Sequence, residues 1–168
     1  KSVSDYLGYF NIIVFAPDDL ELIKGSPSIR RKFLDIHIGQ INPSYLHALI
    51  KFKKILKERN EYLKSVDIKK YNKTFLDVLT TSLIKEAQII ISERGFFIND
   101  LNIYLNPILK SLSNDQERIK LVYKPHCNVD KLWKSAKEKE NQDLITQTTT
   151  WGPTRDEVLI LVNGENAS

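Results

Sequence analysis

Two runs of helix-period apolar residues, separated by a short polar link, constrain this chain more than any other feature. After Asn42-Pro43 no Gly or Pro occurs through Lys64, and Tyr45, Leu49, Phe52, Leu56 and Leu63 recur at spacings of 4, 3, 4 and 7. Those spacings place one apolar face on a helix about 33 Å long, and the Asn-Pro pair is a helix-start signal. Arg59 interrupts the stripe, so it must either snorkel or pair. The second run, 74–112, carries Leu76, Leu79, Leu83, Ala87 and Ile90. It continues with Phe97, Leu101, Tyr104, Ile108 and Leu112. Gly95 and Pro107 are break or kink points within it. Two long helices joined by a polar link over 66–73 pair antiparallel, as a hairpin or arm.

The flanking segments change period. Ser26 and Pro27 predict an N-cap and first helical position. The helix that follows, 28–40, turns Ile29, Phe33, Ile36 and Leu34 inward. The apolar run 11–15 reads as a buried strand, stopped by Ala16-Pro17-Asp18-Asp19. Beyond 113–115, Ile119, Leu121 and Tyr123 alternate with Lys120 and Lys124, a strand closed by Pro125. Residues 129–141 read as a short amphipathic helix and 157–162 as a strand leading into Asn163-Gly164, a hairpin turn signal. No second hairpin strand has room to follow, so the final strand is expected to be unpaired. With Lys1 at the start and no Met, that points to an internal fragment. The predicted class is α+β and predominantly helical, a long antiparallel helical hairpin with short strands.

A length of 168 residues is a prior for one domain. No apolar run is long enough to span a membrane and no secretory signal opens the chain. A lone Cys127 excludes an internal disulfide, which fits a reducing, cytoplasmic setting. The net charge of +4 is uneven: 51–73 holds nine basic and three acidic residues. At 100° per residue Lys53, Lys57 and Lys64 fall on one face, away from the apolar stripe. Arg30, Arg31 and Lys32 form a second basic cluster with Lys24. Localised positive charge attracts phosphate backbones, although a Lys-rich helix face is most often simply solvated. No Gly-Lys-Ser/Thr phosphate loop is present. Asp18 and Asp19 have the chemistry to approach magnesium, with turn capping as the alternative. His126 beside Cys127 cannot close a four-ligand metal site. The residues alone describe an interaction or scaffold module and no catalytic constellation.

One long stretch goes further. Phe15-Ala-Pro-Asp-Asp-Leu, followed by Lys24-Gly-Ser-Pro-Ser-Ile-Arg-Arg-Lys-Phe-Leu-Asp35, resembles the bacterial RecF DNA replication and repair family. Pro43-Ser-Tyr45, Leu56-Lys-Glu-Arg59-Asn60 and Thr150-Trp-Gly-Pro-Thr-Arg-Asp156 follow in the same order as in that family. Asp18 stands where the family usually has Glu, and Thr154 where it has His. The resemblance implies an ABC/SMC-type ATPase head with a helical lobe. It also implies binding at gapped single-strand/double-strand DNA junctions, ATP-driven homodimerisation, and recombinase loading with the mediators RecO and RecR during DNA repair and the SOS response. ATP and Mg are expected for the full-length protein and no cofactor for this part, which is expected to have no ATPase activity by itself.

On that resemblance, 1–24 is a strand-and-turn segment of the head, 25–114 the helical lobe, and 115–168 a mixed segment returning toward the head. Pro17, Asp18, Asp19, Arg155 and Asp156 are expected near the nucleotide in the full-length protein. Arg30, Arg31, Lys32, Lys53, Lys57 and Lys64 are the DNA-binding candidates. No catalytic or metal-binding residue is predicted, and no membrane association. The alternative function is a structural helical hairpin from another SMC-like protein, with no direct DNA contact.

Overall fold

The computed structural model describes residues 20–114 and 116–167. The strand expected over 11–15, and with it Pro17, Asp18 and Asp19, lies outside the described residues. The described elements are α1 (Glu21–Lys24), α2 (Pro27–Ile41), α3 (Pro43–Ser65), α4 (Lys73–Leu112), β1 (Ile119–Lys124), α5 (Leu132–Thr146), β2 (Glu157–Val162) and β3 (Glu165–Asn166). The chain divides into two compact units that interleave in sequence. Among the described residues one comprises 20–46, 93–114, 116–124 and 156–167, the other 47–92 and 125–155. Both α3 and α4 therefore contribute residues to each unit.

In the first unit, α2 begins with Pro27 at its first position after Ser26, as the sequence predicts. The Ser26 hydroxyl shares its hydrogen bond with Ser28 Oγ and does not cap the backbone. The buried row is Arg30, Leu34, Ile38 and Gly39. This corrects the expected inward set: Ile36 is 41% exposed, and Ile29 and Phe33 are only half-buried. An arginine can occupy the buried row because its guanidinium meets backbone carbonyls there, and a purely apolar reading rotates the stripe away from it.

The sheet is antiparallel in the order β1-β2-β3, with Ile119 opposite Val162 and Lys124 opposite Glu157. Asn163 and Gly164 both take left-handed φ values, 51° and 89°, the geometry a two-residue hairpin turn requires. The expectation of an unpaired final strand is overturned: β2 pairs with β1 on one side and β3 on the other. The outer edge of β1 is met by side chains of α4. The Asn102 amide donates to the Leu121 carbonyl and accepts from its N–H, each at 2.8 Å, and Asn106 accepts from the Ile119 N–H. Two asparagines thus occupy hydrogen-bonding groups that an edge strand would leave open.

Helix α4 is unbroken through Gly95 and Pro107. Pro107 removes a bond to the carbonyl of Ile103, and both positions are exposed, so water can satisfy that carbonyl. The expected seam does not persist to the helix end. Tyr104, Ile108 and Leu112 are 68%, 56% and 76% exposed, while Arg94 and Ile98 are buried. The row facing the sheet passes through Asn102 and Asn106, which an apolar criterion skips.

In the second unit, α3 and α4 run antiparallel. Leu63 packs with Leu76 and with Leu144 of α5, Arg59 reaches Thr80, and the Tyr62 ring meets Phe75 edge-on at 4.9 Å. Leu49, Phe52, Leu76, Leu79, Leu83, Ala87 and Ile90 are buried as predicted. Helix α5 is displaced from the expected 129–141: residues 129–131 form a 3-10 turn and the helix then runs to Thr146.

Candidate nucleic-acid interface

Lys53, Lys57 and Lys64 are exposed and line one shallow groove along α3, with Leu56, Asn60 and Glu61. The spacings i, i+4 and i+11 bring three ammonium groups to a common face. Lys57 has one acidic neighbour, Glu61 at 3.8 Å, and both side chains are more than half exposed. A pair in that setting is worth a few tenths of a kcal/mol and leaves the charge available. The stripe inferred from helical periodicity is therefore an open cationic surface.

The second cluster fares differently. Arg30 is buried, and its Nη1 donates to the carbonyls of Gly25 at 2.9 Å and of Leu22 and Ile23 at 3.4 Å, closing the end of α1. Arg31 is half-buried and donates to the backbone carbonyl of Asp156 at 2.8 Å. Burial, followed by repulsion from Arg94, lowers its pKa. Of the three, only Lys32 is exposed. Among the described residues neither arginine is ion-paired with Asp35.

Asp35 is instead part of a buried network in the first unit. Arg94 donates to Asp35 at 2.8 Å, to Asp156 at 3.0 Å and to the Tyr45 hydroxyl at 3.2 Å. Tyr45 donates to Asp35 and Tyr123 to Asp156. Burial opposes the Arg94 charge, but its interactions with Tyr45, Asp35 and Tyr123 outweigh that cost and raise its pKa. Burial first, then Asp156, raises that of Tyr123. Asp156, expected near a nucleotide, is fully buried, with its carboxylate committed to Arg94 and Tyr123.

A separate network organises the second unit around Asp143, which is wholly buried. Its Oδ2 accepts from Arg59 at 2.8 Å and from the Trp151 indole at 3.1 Å, and its Oδ1 from the Thr150 N–H and hydroxyl. Arg59 also donates to Thr149 and Thr80 and lies over the Trp151 ring, 5.5 Å from its centroid. Asn60 Oδ1 accepts from the Thr149 N–H and hydroxyl. Desolvation lowers the Arg59 pKa even with Asp143 beside it. Arg155 is exposed and makes no ion pair among the described residues.

Sequence reasoning missed Arg94, Tyr123 and Asp143. The available signal was a charge at a seam position. Arg59 breaks the α3 stripe, and Arg94 follows Ile90 by four residues where the α4 seam calls for an apolar side chain. A long cation at such a position needs a buried carboxylate. Among the described residues no group of three or more His, Cys, Asp or Glu could hold a metal ion, and no helix is long and apolar enough to cross a membrane.

Compared with models of known protein families, the chain matches none. Individual curated proteins do match it. The DNA replication and repair protein RecF of Shouchella clausii is 39% identical over 98% of this chain, and that of Streptococcus pneumoniae 41% identical over 99%. Over nearly its whole length the chain is similar to a portion of these RecF proteins. It spans about half the length of these curated relatives, 47% in each case. The fold agrees: a solved structure of the recombination mediator protein RecF with ATP, in the RecFOR pathway, superposes with a TM-score of 0.92 at 29% identity. That match covers 99% of this chain and 47% of the other. A second RecF structure, with ATPrS, gives 0.89 at 28% identity. The predominantly helical fold with its small antiparallel sheet therefore matches a portion of the RecF fold.

Proposed function

We infer that this chain is the part of a RecF-type recombination mediator that meets DNA, and that it does so through the α3 lysine stripe. The observation that carries the reading is Lys53, Lys57 and Lys64 exposed along one groove of a helix in a RecF relative. In the whole protein this surface serves binding at gapped single-strand/double-strand junctions and recombinase loading by an ATP-dependent dimer, together with RecO and RecR, in the cytoplasm. Lys32 is a further contact. Arg30 and Arg31 support the fold, since their guanidinium groups are occupied by carbonyls.

The nucleotide belongs to the rest of the protein. Among the described residues expected near it, Asp156 has no free carboxylate face and Arg155 alone offers an exposed group. These residues do not make an ATP site by themselves, and Mg and ATP are assigned to the remaining half of a RecF-length chain.

Three lysines neutralising three phosphates give a slope of log affinity against log salt of about −2.7. Affinity then falls about 40-fold between about 50 and about 200 mM salt. Binding is indifferent to sequence because no element positions side chains for base edges. Replacing Lys53, Lys57 and Lys64 together by Glu tests the reading by fluorescence anisotropy on duplex and gapped DNA. Helix content should hold, since Glu and Lys have similar propensity. Unchanged affinity in the folded triple variant would assign the stripe to solvent and favour a hairpin module without direct DNA contact.

A further inference from the structure

The Arg59–Asp143 network has a feature that packing alone does not require. From Thr149 through Pro153 every residue is buried, and then Thr154 and Arg155 are both exposed. Three partners fix the approach. Asp143 takes the Thr150 N–H, its hydroxyl and the Trp151 indole, Arg59 holds Thr149, and Asn60 holds the Thr149 backbone. Trp151 is completely enclosed under the Arg59 guanidinium. Gly152 has φ +93°, a conformation other residues adopt only under strain, and the Arg155 N–H closes the 3-10 turn onto its carbonyl at 3.0 Å. A buried ion pair of this kind is often no more stabilising than an apolar cluster of the same volume. Its bonds also hold the segment that leads into the turn.

The turn displays a hydroxyl and a guanidinium on consecutive residues. The guanidinium is a planar fork suited to two-point binding of phosphate oxygens, and a neighbouring hydroxyl can donate to a third. No acidic side chain among the described residues neutralises Arg155. We propose that Thr154 and Arg155 form a rigidly presented phosphate-contact tip. The group it takes is a phosphate, either of a nucleic-acid backbone or of a nucleotide polyphosphate. The nucleic-acid source rests on the function inferred above; the polyphosphate source does not.

The 168-residue chain is titrated with a duplex of about 20 base pairs over a salt series, and separately with inorganic tripolyphosphate. The comparison uses wild type, Arg155→Gln, Arg155→Lys and Thr154→Ala. Thermal unfolding of each variant should match wild type, because both side chains are exposed. If the source is nucleic acid, Arg155→Gln lowers the duplex salt slope by about 1 and Arg155→Lys restores it. If the source is a polyphosphate, Arg155→Gln weakens tripolyphosphate binding about tenfold with the duplex slope unchanged, and Arg155→Lys recovers it only in part. A folded Arg155→Gln protein that matches wild type on both probes overturns the proposal, as does wild type that binds neither. The Lys53, Lys57, Lys64 triple variant reports on the α3 stripe alone. Loss of the stripe effect with retention of the Arg155 effect would therefore separate the two readings.

Discussion

Asp143→Asn isolates the charge of the buried network while keeping its volume. In the native protein both carboxylate oxygens accept: Oδ1 from the Thr150 N–H and hydroxyl, and Oδ2 from Arg59 and the Trp151 indole. An amide has one accepting oxygen. If that oxygen stays with Thr150, the new NH2 faces two donors, and Arg59, 1% exposed, loses its counter-charge. The hydroxyls of Thr149 and Thr80 remain, but neither is charged. Breaking a buried pair from one side costs about 3–5 kcal/mol, and a value near 4 corresponds to a fall in Tm of about 8–16 °C for a domain of this size. Urea unfolding at unchanged m-value measures it. Adding Arg59→Met should restore part of the loss, because the stranded cation is gone while the misplaced amide donors stay. A cost below about 1 kcal/mol for Asp143→Asn would refute the reasoning. So would a double variant whose loss is the sum of the two single ones, since stranded charge would then not be the source of the instability.

Glu140 accepts from Tyr71, Lys73 and Lys137. Burial works against its charge, but these partners prevail and lower its pKa below 4.5. Its contribution is then complete above the unfolded pKa and is lost as pH falls through the folded one. The wild-type urea midpoint should drop more steeply than that of Glu140→Gln below about pH 4.5; parallel acid limbs would contradict this. Asn102→Ala strips both hydrogen bonds from Leu121 on the β1 edge and should cost about 1–2 kcal/mol, with faster amide exchange at Leu121 as the local readout. The chain by itself should release no phosphate from ATP above background, because its sequence contains no phosphate loop. Sustained turnover by clean protein would contradict that.

Periodicity made the helical hairpin legible, because helix geometry is local: a spacing of three and four residues implies one face wherever the chain goes. The same property exposed the α3 lysine stripe. Turn chemistry was equally readable at Ser26-Pro27 and Asn163-Gly164, where the backbone conformation depends on only two or three residues. Failures occurred where the partner is distant in sequence. Arg31 meets a carbonyl 125 residues away, and Arg59 meets a carboxylate 84 away. Nothing within either helix says whether such a cation faces water or an acid. The apolar row of α4 slipped for the same reason: the sheet it packs on is met through Asn102 and Asn106, whose fitness lies in the unpaired backbone groups of β1.

The sequence by itself determined the two long helices and their lengths, the strands β1 and β2, the cationic face of α3 and, through its long Pro-Asp-Asp-Leu to Phe-Leu-Asp stretch, the RecF resemblance. Only the tertiary structure decided which charges are spent internally. It buried Arg30 and Asp156, left Lys53, Lys57 and Lys64 in solvent, and set Arg155 on a turn held by Asp143. The physical reason is that charge is a property of a residue, whereas its availability depends on desolvation and on counter-charges that folding brings from elsewhere in the chain.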